Sequence, residues 1–312
     1  MAAITAKMVS DLRAKTGCGM MECKKALTEA GGDFDEAVKV LREKGLSVAA
    51  KKADRIASEG IVDILLSDDK HTAAMIEVNA ETDFVAKNDT FKEFVKGVLA
   101  TILRDKPADI EALLALKYLD TDFTVEGKLK DMIFTIGENM NIRRFEKVTE
   151  ENGFVASYIH AGGKIGVLVD VETDVINDAV KEMARNVAMQ AAALKPTFTN
   201  RDEVSPEFIE HEKAILIAQI QNDPKEASKP EKVIQGMIQG RINKELKEFC
   251  LMDQVYVKAE DGKQSVSQYV ASVAKANNAN ITIKKFVRFE TGEGMEKKEE
   301  NFAEEVAKQM GK

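Results

Sequence analysis

The 312-residue sequence contains no tryptophan and only four tyrosines, and aromatic residues make up 6% of it. Such a chain lacks the rings from which a stacking platform for single-stranded nucleic acid is built. It also lacks an excess of positive charge: 45 Lys and Arg stand against 53 Asp and Glu, a net charge of −8. Neutralising phosphates needs clustered Lys and Arg, so the composition argues against a general nucleic-acid binder, and no direct nucleic-acid contact is expected. No apolar run approaches the ~20 residues of a membrane span. The segment Met1-Ala2-Ala3-Ile4-Thr5-Ala6-Lys7 has neither the apolar centre of a signal peptide nor the Arg content of a transit peptide. The expectation is a cytoplasmic protein without membrane contact. Three cysteines, an odd number, suit a reducing compartment and no disulfide framework.

Signals for covalent chemistry are equally scarce. No G-x-x-x-x-G-K-[ST] occurs, and Gly162-Gly163-Lys164 lies in a predicted hairpin turn, the wrong context for a phosphate loop. Cys18 and Cys23 flank a helix start with no histidine nearby, which does not make a zinc site. His71, His160 and His211 fall on three different elements, none beside a Ser or Cys in a nucleophile's setting. Asp83 and Glu81 have no paired group for acid–base work that spacing identifies. No catalytic residue, metal or cofactor is assigned. The chain reads as a binding protein, not an enzyme.

The expected fold class is α+β. Residues 1–52 read as a three-helix module of ubiquitin-associated-like size. Thr5 caps a helix carrying Met8, Val9 and Leu12 that stops at Gly17. A second helix holds Met21, Ala26 and Leu27 and ends at Gly31-Gly32. Asp33 and Glu36 open a third that Gly45 terminates, and Ala49 to Arg55 follows as a charged linker. Residues 56–149 form a first α+β unit; residues 150–200 with 255–295 form a second, each a small antiparallel sheet with helices on one face. The hairpins Gly60–Leu66/Thr72–Val78 and Gly153–Ile159/Ile165–Val171 correspond, as do the closing strands Met140–Phe145 and Ile281–Phe286. Each hairpin is followed by Glu-Thr-Asp, at Glu81-Thr82-Asp83 and Glu172-Thr173-Asp174, which aligns Phe84 with Val175. Residues 203–252 interrupt the second unit as a helical hairpin, a projecting coiled-coil arm. Its stripes are Phe208, Ile215, Leu216 and Ile220 against Val233, Ile234, Met237, Ile238, Ile242 and Leu246. Residues 296–312 are expected to form a C-terminal helical module. Thr121-Asp122-Phe123 follows no strand and reads as part of a helical connector.

The most informative run is Glu77 to Asn88, because it places a large apolar side chain, Phe84, in a polar connection. A strand precedes it, and Thr90 with Glu93 reads as the capping box of the helix that follows. A loop Phe more often closes its own core; the sharper reading is a wedge aimed at a partner's pocket. For Met20 and Met21, at the glycine-led start of the second helix, spacing alone favours core.

The run Leu12-Arg13-Ala14-Lys15-Thr16-Gly17-Cys18-Gly19-Met20-Met21-Glu22-Cys23-Lys24-Lys25-Ala26-Leu27 closely resembles the first signature of the elongation factor Ts family. Glu77 to Lys87 resembles its second. Ile136 to Arg144 and Arg288 to Gly294 resemble further family segments, so the likeness runs through the chain in order. The resemblance implies guanine-nucleotide exchange on elongation factor Tu, bound with GDP or nucleotide-free, with a homodimer or a 2:2 complex as further possibilities. It implies that Thr82, Asp83, Phe84 and Val85 enter the GTPase domain and disturb its magnesium. It also implies partner contacts at Leu12, Met20, Met21, Ile136, Gly137 and His160, moving Met20 from core to interface. The alternative is a passive adaptor, a three-helix docking module on a dimerising core without exchange activity.

Overall fold

A computed structural model gives the fold and describes residues 4–296; the helix expected over 296–312 lies outside the described residues. The fold is α+β. In chain order the elements are α1 (Ala6–Thr16), α2 (Met20–Glu29), α3 (Phe34–Lys52), β1 (Glu59–Leu66), β2 (Thr72–Ala80), α4 (Asp83–Lys87), α5 (Asp89–Asp105), α6 (Ile110–Ala115), α7 (Val125–Ile136) and β3 (Met140–Thr149). They continue with β4 (Gly153–His160), β5 (Ile165–Thr173), α8 (Asp178–Leu194), α9 (Pro206–Asn222), α10 (Pro224–Ala227), α11 (Glu231–Phe249), α12 (Val266–Ala276) and β6 (Ile281–Glu290).

Local chemistry accounts for most boundaries. Thr5 Oγ1 accepts the Met8 amide, and Gly17, in the left-handed region (φ 71°), closes α1 by donating to the Arg13 carbonyl. Asp33 caps α3 by accepting the Glu36 amide. Gly45 does not end α3, which runs on to Lys52 and takes in the start of the expected linker. The glycine lies inside the helix where α3 crosses α7, and a Cβ there would make an ordinary 3.5 Å contact with Phe134 Cβ. The cap of α5 is Asn88, not Thr90; its Oδ1 accepts the amides of Thr90 (2.8 Å) and Phe91. Asn88 also ends α4, so one residue serves two helices at a tight corner. Thr121-Asp122-Phe123 is a turn and not helix, bracketed by a bridge between Lys117 and Thr124.

Two three-stranded antiparallel sheets, β1-β2-β3 and β4-β5-β6, stack face to face. Period-2 alternation sorts their side chains. From β2, Ala74, Ile76, Val78 and Ala80 join the core under α5, while Ala73 and Met75 meet Val155, Leu168 and Phe289 between the sheets. From β5, Val167, Val169 and Val171 pack under α8. The central strands are thus buried on both faces, which explains their nearly continuous apolar runs.

The two units repeat closely, but not in the register of the Glu-Thr-Asp match. Gly60 pairs with Asn79 as Gly153 pairs with Glu172, and both sheets carry a bulge, after Glu77 in β2 and after Asp170 in β5. Glu81 accordingly corresponds to Asp174: Glu81 accepts the Asn139 amide (2.6 Å), and Asp174 accepts the Asn280 amide (2.8 Å). The N-caps Asn88 and Asn177 correspond, and α5 and α8 are both 17 residues long. Between these fixed points the first unit holds residues 82–87 and the second only Val175 and Ile176. Phe84 therefore lies in an insertion and has no partner at Val175.

The helical hairpin interrupts the second unit between α8 and α12. Helices α9 and α11 pack on each other, on α10 and on the 3-10 turn Leu251–Asp253, and neither lies along a sheet. Phe208 is wedged edge-on between Phe198 and Phe249 at its base. Leu216, Ile220 and Ile242 form its buried seam, whereas Ile215 and Val233, expected in the seam, face solvent. Two helices bury one narrow stripe each, and these two residues fall outside it.

Candidate functional site

The insertion is a rigid platform. Val85 and Ala86 are buried in the core under α5, and this anchors α4 from below. Phe84, on the opposite side of the same turn, is 79% exposed, the most exposed of the large apolar side chains among the described residues. Asp83 and Lys87 close the turn with an ion pair at 2.6 Å, and the Lys87 ammonium stands 6.0 Å from the Phe84 ring centroid. The hydrogen bond from Lys87 holds the Asp83 carboxyl below the usual carboxylate range. A ring held out on a fixed turn has no local core to close, which removes the commoner reading of a loop Phe.

The platform is tied to the end of α7. Gly137 adopts the left-handed region (φ 88°) and turns the chain out of the helix. The next residue, Glu138, accepts two hydrogen bonds from Thr82: the amide at 3.0 Å and the hydroxyl at 2.8 Å. Asn139, nearly buried, donates its amide to Glu81 and its side chain to the carbonyls of Ala53 (3.3 Å) and Arg55 (2.8 Å). Lys52, at the end of α3, donates to the Gly137 carbonyl. The sequence reading did not single out Glu81, Glu138, Asn139 or Lys52 for such work. Their partners lie far away in sequence, and no local spacing points to them.

The other expected contact residues fall on three surfaces. Met21 is 65% and Met20 46% exposed at the start of α2, so the spacing-based assignment to core is wrong for both. Leu12 is fully buried in the three-helix core with Cys23, Ala26, Leu27 and Leu41. Its side chain holds α1 in place and presents no surface. Ile136 is half-buried and Gly137 exposed, beside the Glu138 tie. Val85 is buried beneath the turn and presents no surface beside Phe84. His160 is exposed at the end of β4, with Nδ1 3.0 Å from the Tyr158 hydroxyl. Just beyond it, the turn to β5 docks on the first sheet: the Gly163 carbonyl accepts the Val62 amide at 2.7 Å.

Between the sheets lie two buried carboxylates at corresponding positions. Glu77 accepts from Arg143, Arg144, Asn79 and the Gly292 amide (2.8 Å), and this fastens the end of β6 to the first unit. Despite burial, these donors hold its carboxyl below the usual range. Asp170 instead faces Glu150, and burial with that second carboxyl pushes it up to about 6. Among the described residues no helix is long and apolar enough to cross a membrane.

A family model described as "Elongation factor TS" matches residues 81–293. Elongation factor Ts of Clostridioides difficile (strain 630) is 51% identical over 99% of this chain and 100% of its own length. Elongation factor Ts of Clostridium novyi (strain NT) is 49% identical over 98% of this chain and 99% of its own. That of Syntrophotalea carbinolica is 50% identical over 97% and 98%. The chain belongs to the elongation factor Ts family of translation elongation factors.

Proposed function

We propose that the protein is a guanine-nucleotide exchange factor for elongation factor Tu that performs no covalent chemistry of its own. In this reading Phe84 enters the GTPase domain and disturbs the magnesium ion beside the nucleotide phosphates. The observation that carries it is the 79% exposed ring on a turn anchored by buried Val85 and Ala86. A GTPase of this class holds GDP through phosphate-loop amides, a Lys and Mg²⁺, so unaided release is slow. A factor that binds the nucleotide-free form more tightly than the GDP form weakens GDP binding by the same coupling free energy, and GTP displaces the factor by the same reciprocity.

Burying one Phe side chain is worth roughly 1.5–3 kcal/mol, about one to two decades in an equilibrium constant. A larger coupling has to be gathered from further contacts. Met20 and Met21 offer adaptable apolar surface at one end, Ile136 and Gly137 adjoin the wedge, and His160 supplies a contact from the second unit. Leu12 and Val85 support these surfaces from inside.

The test is release of a fluorescent GDP analogue from elongation factor Tu during a chase with excess unlabelled GDP. Acceleration that saturates with the protein's concentration is expected. Binding without acceleration would favour the adaptor reading instead.

A further inference from the structure

We propose that Glu138 is a positioning residue for exchange: by gripping Thr82 it sets the direction in which Phe84 projects. The inference rests on the exchange reading of Phe84 and extends it to a residue that grips the start of its turn.

The hydrogen-bond pattern at α4 is the first argument. Thr82 is the N-cap of α4, and a threonine there ordinarily turns its hydroxyl back onto an amide of the first turn. Here that local bond is missing. The hydroxyl and the amide of Thr82 both go to the Glu138 carboxylate, 56 residues away, at 2.8 and 3.0 Å. Two bonds from one residue to one carboxylate fix orientation as well as distance. Phe84 is two residues further along the same short turn, so a rotation of Thr82 is carried directly to the ring.

The second argument is an internal control. The clasp between Glu81 and Asn139 recurs in the second unit, where Asp174 accepts from Asn280, at 2.8 Å from its amide and 2.7 Å from its side chain. That clasp belongs to the architecture of both sheets. The residue before Asn280 is Ala279, where the first unit has Glu138. The unit without an inserted α4 thus also lacks the carboxylate. If Glu138 served only to close the sheet–helix layer, the second unit would need it equally, and it does without.

The same residue sits where the N-terminal helices report to the wedge. Its neighbours Gly137 and Asn139 are held by Lys52 and by the carbonyls of Ala53 and Arg55, at the exit of α3. A partner seated on α2 and α3 therefore finds Phe84 already aimed.

The experiment is a double-mutant cycle on the full chain, reading both the maximal rate of GDP release from elongation factor Tu and the concentration giving half that rate. Glu138→Ala should lower the maximal rate about tenfold, with the half-saturating concentration changed less than about threefold and the melting temperature nearly unchanged. Glu138→Gln, which keeps one acceptor, should fall between. In a Phe84→Ala background Glu138→Ala should cause no further loss, because there is no ring left to aim. Equal losses in both backgrounds, or no loss in either, overturn the proposal. Thr82→Val, which removes only the hydroxyl donor, should reproduce part of the Glu138→Ala effect. It serves as the test if Glu138→Ala folds poorly, and a wild-type rate for it then overturns the proposal. A Phe84→Ala protein that releases GDP at the wild-type rate would instead overturn the wedge itself, which separates the two failures.

Discussion

Adjacent residues on α4 make a decisive pair of substitutions. Phe84→Ala removes a side chain that is 79% exposed, so the protein's own stability should stay within about 0.5 kcal/mol of wild type. If the ring is fully buried in the partner, the lost contact is about 1.5–3 kcal/mol, or about 10- to 150-fold in the stimulated release rate at ~1.4 kcal/mol per decade. Val85→Ala has the opposite profile. Its side chain is buried beneath the turn, and removing two methyl groups costs about 2 kcal/mol of stability through lost transfer energy and a small cavity. Because that cavity loosens the seat of Phe84, release should fall as well, though less than for Phe84→Ala. The assay combines thermal unfolding of each variant with stopped-flow release of a fluorescent GDP analogue. A stable Phe84→Ala protein that accelerates release as the wild type does would refute the reasoning. So would a Phe84→Ala protein that melts far below the wild type, since the ring would then be a core residue.

Other perturbations separate surface from scaffold. Met20→Ala with Met21→Ala removes exposed thioethers; titration calorimetry against elongation factor Tu should show weakened binding with an unchanged melting temperature. Gly292→Ala should destabilise by at least about 2 kcal/mol, read by chemical denaturation. Its φ is +71°, and the new Cβ would fall 2.2 Å from the Ser58 carbonyl oxygen. Asp170, raised to about 6 from 3.8, holds a proton in the folded state that the unfolded chain releases between about pH 4 and pH 6. Its contribution is complete below that window and is lost as pH rises through about 6, with a ceiling of about 3 kcal/mol for two pKa units. Glu150, held below its ordinary value, works in the opposite sense and reduces the net. Asp170→Asn, neutral at every pH, should therefore melt higher than wild type above pH 7, and the difference should vanish near pH 4.

The hairpins, the closing strands and the caps at Thr5, Gly17 and Asp33 were legible because each rests on local chemistry: period-2 alternation, a side-chain oxygen within one turn, or a left-handed glycine. What failed depended on distant residues. Gly45 has the look of a terminator, yet α3 runs straight through it while packing along α7. The repeated Glu-Thr-Asp offered a local match two residues away from the true register, which is set by strand pairing and by the clasps onto Asn139 and Asn280. The exposure of Phe84 followed from its polar flanks, but Val85, adjacent in the same motif, turned out to face inward. Leu12 behaves likewise: a residue within a recognised signature can be there to hold the surface up.

The duplicated core bears directly on how a wedge can work. An inserted ring disturbs a metal site only if its support yields less than the site does; a pliant loop would bend and give back the binding energy. Here the support is a strand buried on both faces, stacked on a second sheet through Met75 and Leu168 and locked to it where Glu77 meets Gly292. Closely packed interiors deform little under load. Onto that base the first unit adds a turn that the second lacks, with Val85 and Ala86 pinned below and Thr82 gripped at its start. The second unit keeps the rigid layer without the insertion, which leaves it a brace for the first and a separate surface at His160. On the proposed reading of Phe84, the asymmetry of a short insertion in an otherwise repeated fold would let one half carry the wedge while the other holds it steady.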